Sequence, residues 1–326
     1  MNHPILIAEC CQNHNGDKAI LKDMIHAAAE NGADYVKIQA IRSRELTHRP
    51  RFDQGEVAPD GTQKVIKRPY AAEYERLKKL DLSLEEEAWF VEECRRAGVA
   101  PMTTAFTRTA AREVKDLGYE AIKVASYDCA SYPLLRELKQ YWSTLFVSTG
   151  ATYDHEIAKA ASVLSGADDG LSGAEVHFLH CVTIYPTPMS ELHLNRINFL
   201  RRFSPNVGYS DHSKPAETEL WASKIALAMG ASCIERHFTV LGPDETRDGP
   251  VSITPDMLKE LREFADLSRR DRTTAISQEY PEWEQTLGQP TRELSHAELL
   301  NRDYYRGRFA SMVDGYPVFN WEDVIF

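Results

Sequence analysis

The 326-residue chain has no apolar run approaching the ~20 residues that a membrane-spanning helix needs. It also has no surplus of basic charge: 38 Lys and Arg stand against 49 Asp and Glu, a net charge of -11. A nucleic-acid backbone calls for a basic surface, so a nucleic-acid partner is set aside. An anionic small substrate is not, because a small basic pocket fits inside an acidic protein. The opening residues, Met1-Asn-His-Pro-Ile-Leu-Ile-Ala-Glu9, show no basic stretch followed by an apolar one, so no secretion signal is read there. Cysteine is sparse. The six residues (10, 11, 94, 129, 181 and 233) have neither disulfide-framework nor zinc-finger spacing. They read as reduced thiols of a cytoplasmic protein. No G-x-G-x-x-G fingerprint is present.

What is present is an alternation. Short apolar, β-branched runs alternate eight times with helical patterns. The strand candidates are Ile5–Cys10, Tyr35–Gln39, Ala100–Thr104, Ala121–Ala125, Leu145–Ser148, Val176–Cys181, Val207–Ser210 and Cys233–Phe238. Each is hydrophobic nearly throughout, as a parallel strand buried on both faces requires. The helices carry their own punctuation. Ile20, Leu21, Met24, Ile25 and Ala28 form one apolar stripe, and Gly32 follows. Ser83 with Glu86 predicts a capping box ahead of Leu84–Ala97, and Gly98 ends that helix. Thr254, Pro255 and Asp256 supply a cap, a first-position proline and a first-turn acid.

Eight β/α units in about 270 residues predict a (β/α)8 TIM barrel rather than an open doubly wound sheet. Two segments fall outside the pattern. Residues 42–69 are long, polar and basic, which predicts a lid on the ligand-binding face. The tail after Arg270 is rich in aromatics (among them Tyr280, Trp283, Tyr304, Tyr305, Phe309 and Trp321), so it must pack on something. The division is a barrel over residues 1–270 and a C-terminal extension over 271–326, too short for a complete second domain.

Barrel chemistry sits at the carboxyl ends of the strands. There the first strand gives Glu9, Cys10 and Cys11, the second Lys37 and Gln39, and the third Thr104. The fourth gives Lys123, Ser126 and Asp128, the fifth Ser148-Thr-Gly150, and the sixth Cys181 and Tyr185. The seventh and eighth give Ser210, His212, Glu235 and His237. Lys37 and Lys123 send two ammonium groups into one mouth, and Ser148-Thr-Gly150 adds hydroxyls and backbone N–H groups, an anion site for phosphate or carboxylate. His212 and His237, on consecutive strands, are placed to share a Mn²⁺, Zn²⁺ or Fe²⁺ beside that anion. Each feature alone has a plainer explanation: a lysine paired with a buried acid, a satisfied core histidine, a helix cap. Their arrival together from every strand end favours a functional pocket.

At these residues the chain resembles the sialic acid (N-acetylneuraminate) synthase family. The matching segments include Ile7-Ala-Glu9 with Asn13-His14-Asn15-Gly16, Tyr35-Val-Lys37-Ile-Gln39, Ile122-Lys123-Val-Ala-Ser126, Ser148-Thr-Gly150, Tyr185-Pro-Thr-Pro188, Gly208-Tyr-Ser-Asp-His212 and Ile234-Glu-Arg-His237-Phe-Thr239. The resemblance runs from residue 5 to about 265. It implies a synthase in which C3 of phosphoenolpyruvate attacks the aldehyde of an open-chain sugar, water adds at C2, and phosphate leaves. The product is a 3-deoxy-2-ulosonic, sialic-acid-like acid. It further implies a divalent metal on His212 and His237, Mn²⁺ first, with Mg²⁺, Co²⁺, Zn²⁺ or Fe²⁺ as alternatives. Lys37, Lys123, Thr104, Ser126, Ser148 and Ser210 match phosphoenolpyruvate contacts, with Lys123 also counted as catalytic. Glu9 matches an acid near the reacting carbons. Asp128, Gln39 and Tyr185 match sugar-side positions. Asp248 matches a further acid by its spacing to Ser252, with Asp244 as the alternative.

Three departures fall on the sugar side. Residues 306–323 resemble only the entry to the C-terminal antifreeze-like domain that this family carries, so any homo-oligomer would not use that domain's swap across a dimer. Asp128 and Thr183 stand where N-acetylneuraminate enzymes often have Glu and Asn. The stretch around Arg68–Tyr70 does not match the usual sugar-binding segment. The expectation is a retained reaction with an altered acceptor, an aldose lacking the N-acetyl group or otherwise substituted. Cys11, at an offset similar to a first-strand metal ligand of related phosphoenolpyruvate aldolases, is either a ligand or an apolar filler. Two rival functions stay open: a metal-independent Schiff-base aldolase using Lys123, and a sugar-binding barrel without activity.

Overall fold

The computed structural model describes residues 3–167, 170 and 173–324. Its strands in chain order are β1 (Ile5–Cys11), β2 (Tyr35–Ala40), β3 (Glu56–Val57), β4 (Gln63–Val65), β5 (Ala100–Ala105), β6 (Ala121–Val124), β7 (Thr144–Ser148), β8 (Glu175–Cys181), β9 (Val207–Asp211), β10 (Cys233–His237), β11 (Ser311–Val313) and β12 (Tyr316–Val318). Eight of them close a parallel barrel in the order β1-β10-β9-β8-β7-β6-β5-β2. The (β/α)8 expectation holds, and each predicted strand lies within about a residue of the observed one.

The sequence builds the barrel by its period of two. Ile7, Met102, Ala121, Phe146, Leu179 and Cys233 form an apolar plug inside the barrel, with Tyr35 against it. Two residues further along the same strands stand Glu9, Thr104, Lys123, Ser148, Cys181, Glu235 and Lys37. Successive side chains alternate faces, so this polar layer lies directly above the plug. A third layer follows by the same step: Cys11, Gln39, Phe106, His212 and His237. Alternate residues such as Leu6, Ala8, Val36, Ile38, Val124 and Val147 face outward and join the main core against the helices. The layers are held in register by pairs such as Glu9 with His237, Glu9 with Lys37, and Ser210 with Glu235. Gly208 is required by close strand approach, since a Cβ there would lie 2.5 Å from the Cys233 carbonyl oxygen.

The helical signals also hold. Leu84–Ala97 is capped by the Ser83–Glu86 box and ends at Gly98 in the left-handed conformation. Pro255–Asp266 begins at Thr254, whose hydroxyl accepts from the Met257 N–H. A bulge interrupts β1 between Glu9 and Cys11, and Cys11 takes a φ of 45°. A non-glycine residue held there is uncommon and implies that its surroundings fix it.

The two segments outside the alternation meet each other over the barrel mouth. Residues 42–69 contain the β3–β4 hairpin and short helical turns. The tail first lays Arg269–Glu279, a helix that straddles residue 270, against the helix Trp221–Ala228. It then returns as the helix His296–Tyr305 and the β11–β12 hairpin. Leu46 bridges to Phe309, the Thr47 N–H donates to the Arg308 carbonyl, and Arg49 donates to the Asp303 and Tyr304 carbonyls. The expected lid is thus a folded segment bonded to the tail. No helix among the described residues is long and apolar enough to cross a membrane.

Candidate active site

A cavity of about 420 Å³ opens at the carboxyl ends of the strands, within the ~300–1,000 Å³ typical of small-ligand sites. Every catalytic, substrate and metal residue singled out from the sequence lines it: Glu9, Lys37, Gln39, Thr104, Lys123, Ser126, Asp128, Ser148, Tyr185, Ser210, His212, His237 and Asp248.

Its floor is a network of charges, all buried. The Lys37 ammonium touches Glu9, donates to Thr104 Oγ1 at 3.0 Å and stands 3.8 Å from Glu235. Lys123 donates to Ser148 Oγ at 2.7 Å and stands 3.5 Å from Glu235. Ser210 donates to Glu235 at 2.7 Å. Burial alone would push the Glu235 carboxyl up; Lys123, Lys37 and the Ser210 hydroxyl outweigh it and hold it well below the usual range. Burial works the other way on Lys37. Desolvation, opposed by Glu235 and assisted by Lys123, lowers its ammonium to about 7. Lys123 is occupied by its hydroxyl and carboxylate partners, an arrangement suited to holding an anion. Gly150 leaves room for this floor, because a Cβ there would lie 2.6 Å from Thr183 Cγ2 and 2.9 Å from Ser126 Oγ.

One wall carries metal-ligand chemistry. The His212 and His237 rings lie 5.2 Å apart. Burial keeps both imidazoles neutral, pushing His212 well down and His237 down, so each has a lone pair to offer. His237 Nδ1 is buried without a hydrogen-bond partner and lies 3.9 Å from Asp248. The Cys11 thiol donates to Asp248 at 3.0 Å. Ligand atoms of Cys11, His237 and Asp248 all lie within 4.8 Å of one another. An orphaned imidazole nitrogen, a carboxylate and a thiol converging on one point fit a divalent cation. His212 faces this group with its Nδ1 3.7 Å from the Cys181 sulfur, and the Tyr185 ring packs 4.0 Å from His212.

The opposite wall is where sequence reasoning fell short. Asp128 accepts from Ser131 Oγ and from Asn320 Nδ2, both at 2.9 Å. Burial raises its carboxyl to about 6 against those two donors. Asn301, Tyr305, Arg308 and Phe309 from the tail also line the cavity, and so do Arg68, Arg76 and Arg247, of which Arg76 donates to Gln12 beside Cys11 at 2.6 Å. Asn301 donates to the Thr183 carbonyl. Arg76 carried a local signal in its three-residue spacing from Glu73. The tail's aromatics, Tyr305 and Phe309 among them, signalled that it packs on something, but Asn301 and Arg308 carried no signal and only tertiary folding brings them to the barrel.

A family model described as the NeuB family matches residues 24–272. The chain is 30% identical over 315 residues to the N,N'-diacetyllegionaminic acid synthase of Legionella pneumophila, covering 95% of this chain and 83% of that protein. It is 29% identical over 273 residues to the enzyme of the same name from Campylobacter jejuni, covering 80% of this chain and 75% of that one. Among solved structures it is similar to the N-acetylneuraminic acid synthetase of Leptospira borgpetersenii, at a TM-score of 0.69 and 26% identity over 93% of this chain and 91% of that one. With a closed barrel, a two-lysine floor and a metal-competent wall in place, the matches establish that the chain belongs to the NeuB family of sialic acid synthase-like enzymes.

Proposed function

We propose that this protein condenses phosphoenolpyruvate with an open-chain aldose to give a 3-deoxy-2-ulosonic acid and phosphate. The observation that carries the reading is the placement of Lys37 and Lys123, with Thr104 and Ser148, one layer below His212, His237 and Cys11 in a single cavity. An anionic substrate held on that floor has its reacting carbon next to the wall that would receive an aldehyde.

The chain's own residues divide the work. Lys37 and Lys123 neutralise the anion and, with Thr104, Ser126, Ser148 and Ser210, fix its orientation. C3 of phosphoenolpyruvate forms the new bond to the aldehyde carbon, and the cation left at C2 is met by water, which loses a proton to Glu9, a carboxylate against Lys37 and within 3.4 Å of Gln39. That proton balances the one taken up by the former aldehyde oxygen. The C2–O bond to phosphate then breaks, the C2 hydroxyl becomes the ketone, and its proton leaves with the phosphate. Asp128, Gln39 and Tyr185 receive the sugar hydroxyls. Cys11, His237 and Asp248, with His212 beside them, would hold a divalent cation, which when bound supplies Lewis-acid polarisation of the aldehyde oxygen. The family resemblance puts Mn²⁺ first; a thiolate at Cys11 shifts the preference toward softer ions such as Zn²⁺ or Fe²⁺.

The sugar wall, built partly from the tail, supports an acceptor other than N-acetylmannosamine. A panel of aldoses with phosphoenolpyruvate, scored by phosphate release with and without chelator, tests both parts. Release with no aldose overturns the condensation. A clear preference for N-acetylmannosamine overturns the altered acceptor.

A further inference from the structure

The cavity has a second cationic end that the reaction chemistry does not use. Arg68, Arg76, Arg247 and Arg308 line it, each from a different segment: the long loop after β2, the helix Tyr70–Lys78, the loop after β10, and the tail. Three of them share one carboxylate. Arg76 bonds Glu73 at 2.9 and 3.1 Å, Arg308 touches it, and Arg247 stands 3.5 Å away. Burial pushes the Glu73 carboxyl up, but Arg76, Arg308 and Arg247 together pull it down to about 2. One negative charge against three positive charges leaves an excess of two. Arg68 adds another; its side chain donates to the Lys67 carbonyl. The Nε atoms of Arg68 and Arg308 are buried with no hydrogen-bond partner.

A cationic excess with unpaired buried donors is costly unless an anion completes it. The deep anion has Lys37 and Lys123 of its own. The outer arginines therefore face the other substrate, above the wall of Cys11 and Asp248, where Arg76 also donates to Gln12 at 2.6 Å. We propose that Arg68, Arg76, Arg247 and Arg308, arrayed around Glu73, form an anion subsite for a negatively charged terminal group on the aldose acceptor, a phosphate monoester or a carboxylate. This rests on the condensation reading only for the aldehyde; the subsite itself is a statement about binding.

The test uses polyols that cannot react. A hexitol, the same hexitol with a terminal phosphate, and a hexonate are titrated calorimetrically into full-length protein saturated with phosphoenolpyruvate. The phosphate or the carboxylate is expected to bind about tenfold or more tightly than the neutral hexitol, as charge-assisted hydrogen bonds from guanidinium groups would give. Which of the two gains more identifies the group. Arg68→Gln and Arg308→Gln should each remove most of that gain while leaving phosphoenolpyruvate binding unchanged. Two variants are used because Arg308 also packs on Phe309 in the tail. Equal binding of the three polyols overturns the proposal, as does a charged polyol that displaces phosphoenolpyruvate instead of adding to it. If the charged polyol binds but no aldose consumes phosphoenolpyruvate, the condensation falls and the subsite stands.

Discussion

Asn320, close to the end of the described chain, donates its side-chain amide to the Asp128 carboxylate at 2.9 Å. The tail thus reaches the wall that carries Asp128 and supplies one of the two hydrogen bonds on that buried acid. Asn320→Ala removes one of the two donors, leaving an acceptor short of a partner at a cost of about 1–3 kcal/mol. The expected loss is on the order of tenfold in kcat/KM for the sugar, with the KM for phosphoenolpyruvate little changed. The pH profile moves too. Asp128 sits at about 6, raised by burial against Asn320 and Ser131. If its ionised form accepts from a sugar hydroxyl, activity falls as pH drops through that value. Losing a donor shifts that limb to higher pH. A purely structural role would change neither the limb nor the balance of the two KM values.

If Lys37 holds phosphoenolpyruvate as proposed, that binding should depend on pH. Burial, opposed by Glu235 and assisted by Lys123, brings its ammonium to about 7. The free protein therefore loses this proton as pH rises through about 7, while a bound anion favours the charged form. Binding should take up a proton and weaken above that pH. Titrations at about pH 8 in two buffers of different ionisation enthalpy measure the uptake, and Lys37→Met should abolish it. The same depression has a sign for stability. The unfolded lysine keeps its proton up to 10.5, so this group penalises the fold most below about 7 and progressively less up to 10.5.

The barrel was legible because its physics is local. Plug, polar layer and histidine layer follow one another at a period of two, so Cys233, Glu235 and His237 are ordered by the strand alone. The helix caps at Ser83, Gly98 and Thr254 are equally local. The sugar wall was not legible. Asn301, Arg308 and Asn320 reach the pocket through contacts such as Leu46 with Phe309 and Arg49 with Tyr304, between segments that share no periodic signal. Arg68 lines the same cavity as the tail residues Asn301 and Arg308, a neighbourhood that only the folded chain brings together.

One buried ion pair flanks the pocket strands and should contribute strongly to stability. Arg236 bonds Asp211 at 2.6 Å, and both are almost fully buried. Arg236 also donates to the Ser213 and Val251 carbonyls, tying the ends of β9 and β10 to the loops beyond them. Arg236→Met leaves Asp211 buried without its counter-charge, a cost of about 3–5 kcal/mol. Urea unfolding should show that loss as a lower midpoint with an unchanged slope. Replacing Asp211 by Asn in the same background should recover part of it, since the stranded charge is then gone. No recovery would show that lost packing, and not the unpaired carboxylate, sets the cost.

On the proposed reading, Cys11 would decide what kind of metal the wall prefers. Its thiol, pushed well up by burial and by the facing Asp248, stays protonated while it donates to that carboxylate. A cation between Cys11, His237 and Asp248 reverses the balance, because a coordinated thiol gives up its proton. Cation binding should therefore release a proton and should tighten as pH rises. Cobalt provides a direct readout, since a thiolate ligand adds a sulfur-to-metal charge-transfer band in the near ultraviolet. The cobalt-loaded protein is expected to show the band, Cys11→Ser to lose it, and His237→Ala to bind cobalt at least about tenfold more weakly. Chelator should remove the band and phosphate release together. A band that is absent in the wild type, with metal content equal in Cys11→Ala, would return Cys11 to an apolar filler and leave His212 and His237 as the pair that holds the ion.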